Sequence, residues 1–166
     1  MTRVSDAAAD WTITRVRYDS AAARVLTLAL HREQLAVYGS AEDPEDTPPG
    51  DFESPSGLFL LALTRDGTAL ACGGWRTVCP ATGEIKRMYV TAGARGHGLG
   101  RRILKALEHD AGRRGITRVI LETGVRNHAA LALYTRSGYS PVTPYVTGRD
   151  PRINRAMTKM LRSAPP

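Results

Sequence analysis

Residues 84–111 read EIKRMYV, TAGARGHG, LGRRILKALEHDA: a strand pattern, a loop dense in glycine and arginine, then a helix. Leu99, Ile103, Leu107 and Ala111 stand four apart and Leu104 widens their stripe, which is the apolar face of an amphipathic helix. A strand feeding such a helix places the chain in the α/β class. Each glycine has backbone freedom to lose on folding, so Gly96, Gly98 and Gly100, three in five positions, need a reason.

The flanking sequence supplies the rest of the elements. TITRVRY, residues 12–18, is a strand pattern. Asp19 stands as the N-cap of a helix through SAAARVLTLALHREQLAVY, and Gly39 ends it. LFLLALT and TALACGGWR flank Asp66-Gly67, a favoured tight-turn pair, and form a hairpin with a bulge expected at Gly73-Gly74. In GEIKRMYV, alternation puts Glu84, Lys86, Met88 and Val90 on one face and Ile85, Arg87 and Tyr89 on the other. Gly115 closes the second helix. TRVILET is a central strand, Asn127 caps HAALALYTRS, and Gly138 terminates it. Tyr139–Val142 and Arg155–Leu161 are the last strands. The order β-α-loop-β-β-β-α-β-α-β-β predicts one mixed sheet with helices against it.

The 166 residues suit a single domain, 1–166, with an acidic, proline-rich loop over 40–57 whose prolines exclude regular structure from most of it. No run approaches the length of a membrane span, and MTRVSDAAADW lacks the apolar core of a secretion signal, so the expected location is cytoplasmic. Cys72 and Cys79 have no metal-site spacing, so no metal is expected. Net charge is +7, unevenly spread: residues 41–57 hold six acids (Glu42, Asp43, Glu45, Asp46, Asp51, Glu53) and no lysine or arginine. Setting those six aside leaves 23 basic residues against ten acids, a basic body suited to an anionic ligand. An aromatic content of 6% without aromatic–basic interleaving argues against nucleic acid as that ligand.

A glycine loop between strand and helix is a phosphate cradle, because first-turn N–H groups lack partners and the helix dipole favours an anion there. Arg95, His97, Arg101 and Arg102 add positive charge. A Walker loop fails, since Gly100 is followed by Arg101-Arg102 rather than Lys-Ser/Thr. A dinucleotide fingerprint fits Gly96 and Gly98, with Glu122 as its ribose ligand, but sets Arg101 where the third glycine belongs. That leaves R-x-x-G-x-G, at Arg95, Gly98 and Gly100.

In this pattern EIKRMYVTAGARGHGLGRRILKALE resembles motif A of the GNAT N-acetyltransferase superfamily, and LETGVRNHAALALYTRSGYSPV resembles its motif B. The resemblance covers roughly residues 58–143. It implies a mostly antiparallel mixed sheet of about six to seven strands, flanked by helices and splayed at an acetyl-CoA site. It further implies that Met88, Tyr89 and Val90 pair with the pantetheine arm, the Val90 N–H facing the thioester oxygen where negative charge develops. Backbone N–H groups over Arg95, Gly96, His97, Gly98, Leu99, Gly100 and Arg101 would receive the pyrophosphate, and Asn127 would bond the arm. Tyr134 matches the acid that protonates the departing thiolate. Glu84 matches a position where some members carry a base, and Glu122 on the adjacent strand is the second candidate.

The implied reaction is direct acetyl transfer, in a ternary complex, to a primary amine of a small molecule or of a protein or peptide. Glu33, Tyr38, Trp75 and Arg76 are expected to wall the acceptor site, with the acids of 42–53 attracting a cationic amine. A homodimer is left open. The competing readings are a dinucleotide-dependent oxidoreductase and a non-catalytic CoA-sensing or nucleic-acid-binding module.

Overall fold

The computed structural model describes residues 10–162; the N-terminal stretch read for a secretion signal lies almost wholly outside them. Seven strands, β1 (Trp11–Arg15), β2 (Gly57–Thr64), β3 (Ala69–Cys79), β4 (Thr82–Val90), β5 (Arg118–Gly124), β6 (Ser140–Val142) and β7 (Asn154–Met160), form one sheet in the order β1-β2-β3-β4-β5-β7-β6. Three α-helices, α1 (Ala21–Tyr38), α2 (Leu99–Arg113) and α3 (His128–Arg136), flank it. Every neighbouring pair is antiparallel except β4–β5. The expected class, element order and mostly antiparallel sheet are all present.

The apolar stripe of α2 (Leu99, Ile103, Leu104, Leu107, Ala111) packs with Trp75, Ile85, Val119, Leu121 and Tyr134 into the main core. A second core lies on the opposite face, where Tyr18, Phe52 and Phe59 meet edge-on or tilted at 4.8–5.4 Å between ring centres, beside Leu26, Leu61 and Cys72. It explains two departures from expectation. β1 ends at Arg15 rather than Tyr18, because Tyr18 turns inward and its hydroxyl donates to the Pro44 carbonyl at 2.7 Å. Ser20, not Asp19, caps α1: its Oγ accepts from the Ala23 N–H, while Asp19 is chelated by the Arg17 guanidinium at 2.9 and 3.0 Å.

The acidic segment is likewise more ordered than its prolines suggest. Single 3-10 turns at Pro44–Asp46 and Pro49–Phe52 bury Pro44 and Phe52, and ion pairs tie the segment to the basic body. Glu45 meets Arg24 at 2.6 Å, Asp51 meets Arg76 at 2.9 Å and Glu53 meets Arg17 at 2.9 Å. It is a strap laid across the second core.

β4 also departs from simple alternation. Between the pairs Cys72↔Tyr89 and Gly74↔Lys86, β3 has one residue and β4 has two, a bulge that sets Arg87 at φ 60. The irregularity falls at the expected glycines, but the extra residue belongs to β4. It exchanges the faces: Met88 and Val90 join Ile85 on the α2 side, whereas Tyr89 joins the second core and Arg87 reaches Glu42 and Thr47 of the strap.

Candidate active site

β4 and β5 pair only over Thr82–Ile85 and Arg118–Leu121, although both strands continue. Beyond that point they part, and the gap opens into a cleft of about 440 Å³. Its walls come from α1 (Leu30, Gln34, Tyr38), the strap (Glu42), β4 (Glu84–Met88), β5 (Glu122–Gly124), Asn127, Tyr134, the β6–β7 connection (Gly148–Asp150, Ile153) and the start of β7 (Asn154). The Thr91 N–H is engaged by the Leu70 carbonyl at 2.9 Å. By the alternation of an antiparallel ladder, the Val90 peptide groups therefore point the other way, into the gap. The Val90 carbonyl accepts there from Arg95 Nε at 2.9 Å.

The glycine loop runs from β4 to α2. Gly96 and Gly98 have φ of 83 and 78, the left-handed region that side chains disfavour, so the turn itself accounts for both. Gly100 is different. Its φ is ordinary, and a Cβ there would meet Leu133 and Val90 only at contact distance, 3.4 and 3.6 Å. No side chain caps α2, and its first-turn N–H groups face outward. An N-terminus of this kind can receive an anion. Arg95 supports it from one side, gripped by Glu33 (2.8 and 2.9 Å) and stacked 5.7 Å from the Tyr89 ring. Arg102 is engaged elsewhere, over Trp11.

Tyr134 on α3 is 4% exposed, lines the cleft, and packs edge-on to Tyr139 at 5.6 Å. Burial pushes its phenol well above the ordinary value, so it stays protonated at any physiological pH. Asn127 Oδ1 accepts from the Ala130 N–H at 3.2 Å, which caps α3 and fixes the side chain at the cleft wall.

The two glutamates differ sharply. Glu122 is saturated: it accepts from the Tyr145 and Val146 N–H groups (both 2.9 Å), from Arg149 (3.1 Å) and from Asn154 Nδ2. It anchors the β6–β7 connection against β5. Glu84 accepts from Arg76 Nε at 3.0 Å and from the Tyr145 hydroxyl at 2.8 Å, and it borders both the main cleft and a neighbouring groove.

Of the expected acceptor wall, only Tyr38 lines the cleft. Its ring lies on the Gly124 backbone, where a Cβ would fall 2.0 Å from its hydroxyl oxygen, and that oxygen accepts from the Arg126 N–H at 3.1 Å. Trp75 is not on the wall: it is fully buried in the main core, its Nε1–H donating to Asp110 at 2.9 Å, because β3 turns it toward α2. Arg76 is held by Glu84 and Asp51 and borders the second groove instead. Glu33 sits outside with Arg95. The acids expected to draw a cationic amine are mostly neutralised by the ion pairs of the strap.

Sequence reading missed Lys86, Arg87 and Arg149 as site residues, and took Glu42 only as one of the acids that would draw a cationic amine. The Glu42 carboxylate receives Lys86 Nζ at 2.9 Å, Arg149 Nη2 at 2.8 Å and Arg87 Nη2 at 3.2 Å. Burial pulls the Lys86 ammonium below its ordinary value, with Glu42 opposing it. Burial likewise works to raise the Glu42 carboxyl, but the three cations outweigh it and hold that carboxyl low. Two adjacent cations in the middle of a strand, Lys86-Arg87, were the available signal.

The arrangement of splayed strands, bulged β4, uncapped α2 and buried tyrosine defines a class. The profile of the acetyltransferase (GNAT) family matches residues 26–139. The chain is 32% identical to a protein of Klebsiella pneumoniae assigned as an acyl-CoA N-acyltransferase, whose crystal structure superposes with a TM-score of 0.78 over 92% of this chain and 98% of that one. It is 40% identical over 101 residues to the IAA acetyltransferase of Azospirillum brasilense, covering 58% of this chain and 64% of that protein. It is 37% identical over 114 residues to the mycothiol acetyltransferase of Beutenbergia cavernae, covering 69% of this chain and 38% of that protein. The chain thus matches under two thirds of the length of these two relatives. It belongs to the GNAT family, a family of acyl-transferring enzymes. Among the described residues, no helix is long and apolar enough to cross a membrane.

Proposed function

We propose that this chain transfers the acetyl group of acetyl-CoA to a primary amine by direct attack in a ternary complex. The observation that carries the reading is the parting of β4 and β5, with the buried Tyr134 on the cleft wall and the uncapped start of α2 packed beside Val90 and Leu133. The donor fits it chemically: α2 offers N–H groups to a pyrophosphate, Gly100 leaves room for close approach, and Val90 presents its N–H to an amide-bearing arm from an edge that no other strand pairs there. Bound there, acetyl-CoA supplies an activated acyl group on a thiol leaving group.

The chain's own residues then have distinct parts. The backbone from Arg95 to Arg101 holds the phosphates, and Asn127 and the edge of Met88–Val90 align the arm. The Val90 N–H supports the charge that builds on the acyl oxygen. Tyr134 keeps its proton until a thiolate needs one. Glu84 is the better base of the two glutamates, drawing the amine's proton through water, because Glu122 is occupied by four donors, three from the β6–β7 connection and one from β7. Those same contacts withdraw Glu122 from any ribose, which leaves the dinucleotide reading without its acidic ligand. Cys72 takes no acyl group on this reading: it is buried, and desolvation lifts its thiol to about 12.

Thermal melts with acetyl-CoA and NADH side by side test the donor, and thiol release across an amine panel tests the transfer. Stabilisation by acetyl-CoA alone, followed by amine-dependent thiol release, is expected. No stabilisation at hundreds of micromolar acetyl-CoA overturns the reading.

A further inference from the structure

The relatives carry different substrate names, IAA and mycothiol, so the acceptor is argued from the cleft itself. Three cations converge on Glu42, and two of them, Lys86 and Arg87, are fixed on β4 with side chains 11% and 5% exposed. The third, Arg149, is steadied by Glu122. Arg87 Nε is buried with no hydrogen-bond partner. The carboxylate they hold does not belong to the sheet framework; it projects from the connection between α1 and the first 3-10 turn. Glu84 and Glu122 make their contacts with Arg76, Tyr145 and the β6–β7 connection; Glu84 acts on Lys86 through its charge alone, and neither carboxylate forms an ion pair with Lys86 or Arg87. A rigid cationic seat in the lining of the cleft is therefore filled by a carboxylate from a connecting segment.

Buried cations demand a compensating anion. An acceptor with only positive charge would be repelled by this seat and would offer nothing to replace Glu42. An amine bearing its own carboxylate meets both needs, and the surrounding positive charge also favours the neutral, nucleophilic form of its nitrogen. We infer that the acceptor is an amine carrying a carboxylate, as an amino acid does, and that this carboxylate takes the seat which Glu42 fills in its absence. The inference rests on the acetyl-transfer reading only for the amine; the seat is argued from the cations.

The test is binding of N-acetyl amino acids, the product class, against their C-terminal amides, across a panel of side chains, by calorimetry on the native protein with CoA present. Acids binding about tenfold or more tighter than the matching amides is the expected result, in line with a charge-assisted contact. Amides binding as well as acids, or neither binding, overturns the inference. Two variants add a sign. Arg149→Gln weakens the acid, whereas Glu42→Gln, with its folding checked by melting, tightens it severalfold by removing the internal competitor; weaker binding in Glu42→Gln would also overturn it. Thiol release is read separately. Acids that bind without any amine-dependent thiol release sink the acetyl-transfer reading alone, while release with amides as fast as with acids sinks only this one.

Discussion

At the scale of single residues, the local motifs were legible and the distant partnerships were not. Asn127 and Tyr134 lie in one short block whose pattern announces a capped helix, and both reach the cleft. Replacing Tyr134 by Phe removes one hydroxyl without touching the packing against Tyr139. We expect kcat to fall by about 10²-fold, as loss of a general acid does, with acetyl-CoA affinity unchanged; equal losses in both would remove Tyr134 as the acid. Glu42 and Arg149, by contrast, meet across 107 positions of sequence, and no periodicity encodes such a contact. The two cysteines separate just as cleanly. Cys72 is buried, its Sγ–H donating to the Arg87 carbonyl at 3.1 Å, while Cys79 is exposed at the end of β3. A thiol reagent should therefore modify one cysteine in the native protein and two after denaturation, and two fast equivalents before denaturation would contradict the placement of Cys72.

At the scale of elements, periodicity placed α1, α2, α3 and the β2–β3 hairpin, because each is set by its own residues and its own turn. Asp66 shows how: its carboxylate accepts from the Thr68 N–H at 3.2 Å and closes the hairpin locally. The reading of β4 failed where the cause was not local. Alternation holds only while the ladder is regular, and the bulge at Arg87 is imposed by β3, the strap and the charges it must reach. The start of β2 has a similar dependence. A Cβ on Gly57 would lie 2.2 Å from the Asp51 carbonyl oxygen and 2.6 Å from that of Trp75, both backbone atoms with no freedom to retreat. Gly57→Ala is expected to destabilise the protein by about 3 kcal/mol, near the upper end for overpacking. Denaturant melts measure it, and a change below about 1 kcal/mol would mean that the strap yields more easily than its packing implies.

At the scale of the whole molecule, the acidic strap and the basic body form one electrostatic unit. The Glu42 carboxyl titrates below its ordinary value of 4.5, so its contribution to stability is complete above about pH 4.5 and is lost as the pH falls through the lower, folded-state value. The stability gap between the native chain and Glu42→Gln should thus be widest near neutrality and close in acid, and a gap constant over that range would show that Glu42 stabilises by shape rather than charge. The class of the fold was readable because strand and helix patterns alternate along the chain; the join between its halves was not. β4 and β5 meet over only four residue pairs, Thr82↔Arg118 to Ile85↔Leu121, and then part. Mechanically, the sheet is two leaves on a short hinge, with β1–β4 on one and β5–β7 on the other. A ligand lying in the gap acts as a stitch between the leaves. In native-state hydrogen exchange, the Val90 amide should be among the fast ones in the free protein and should slow on adding acetyl-CoA, together with amides along the hinge that the ligand never touches.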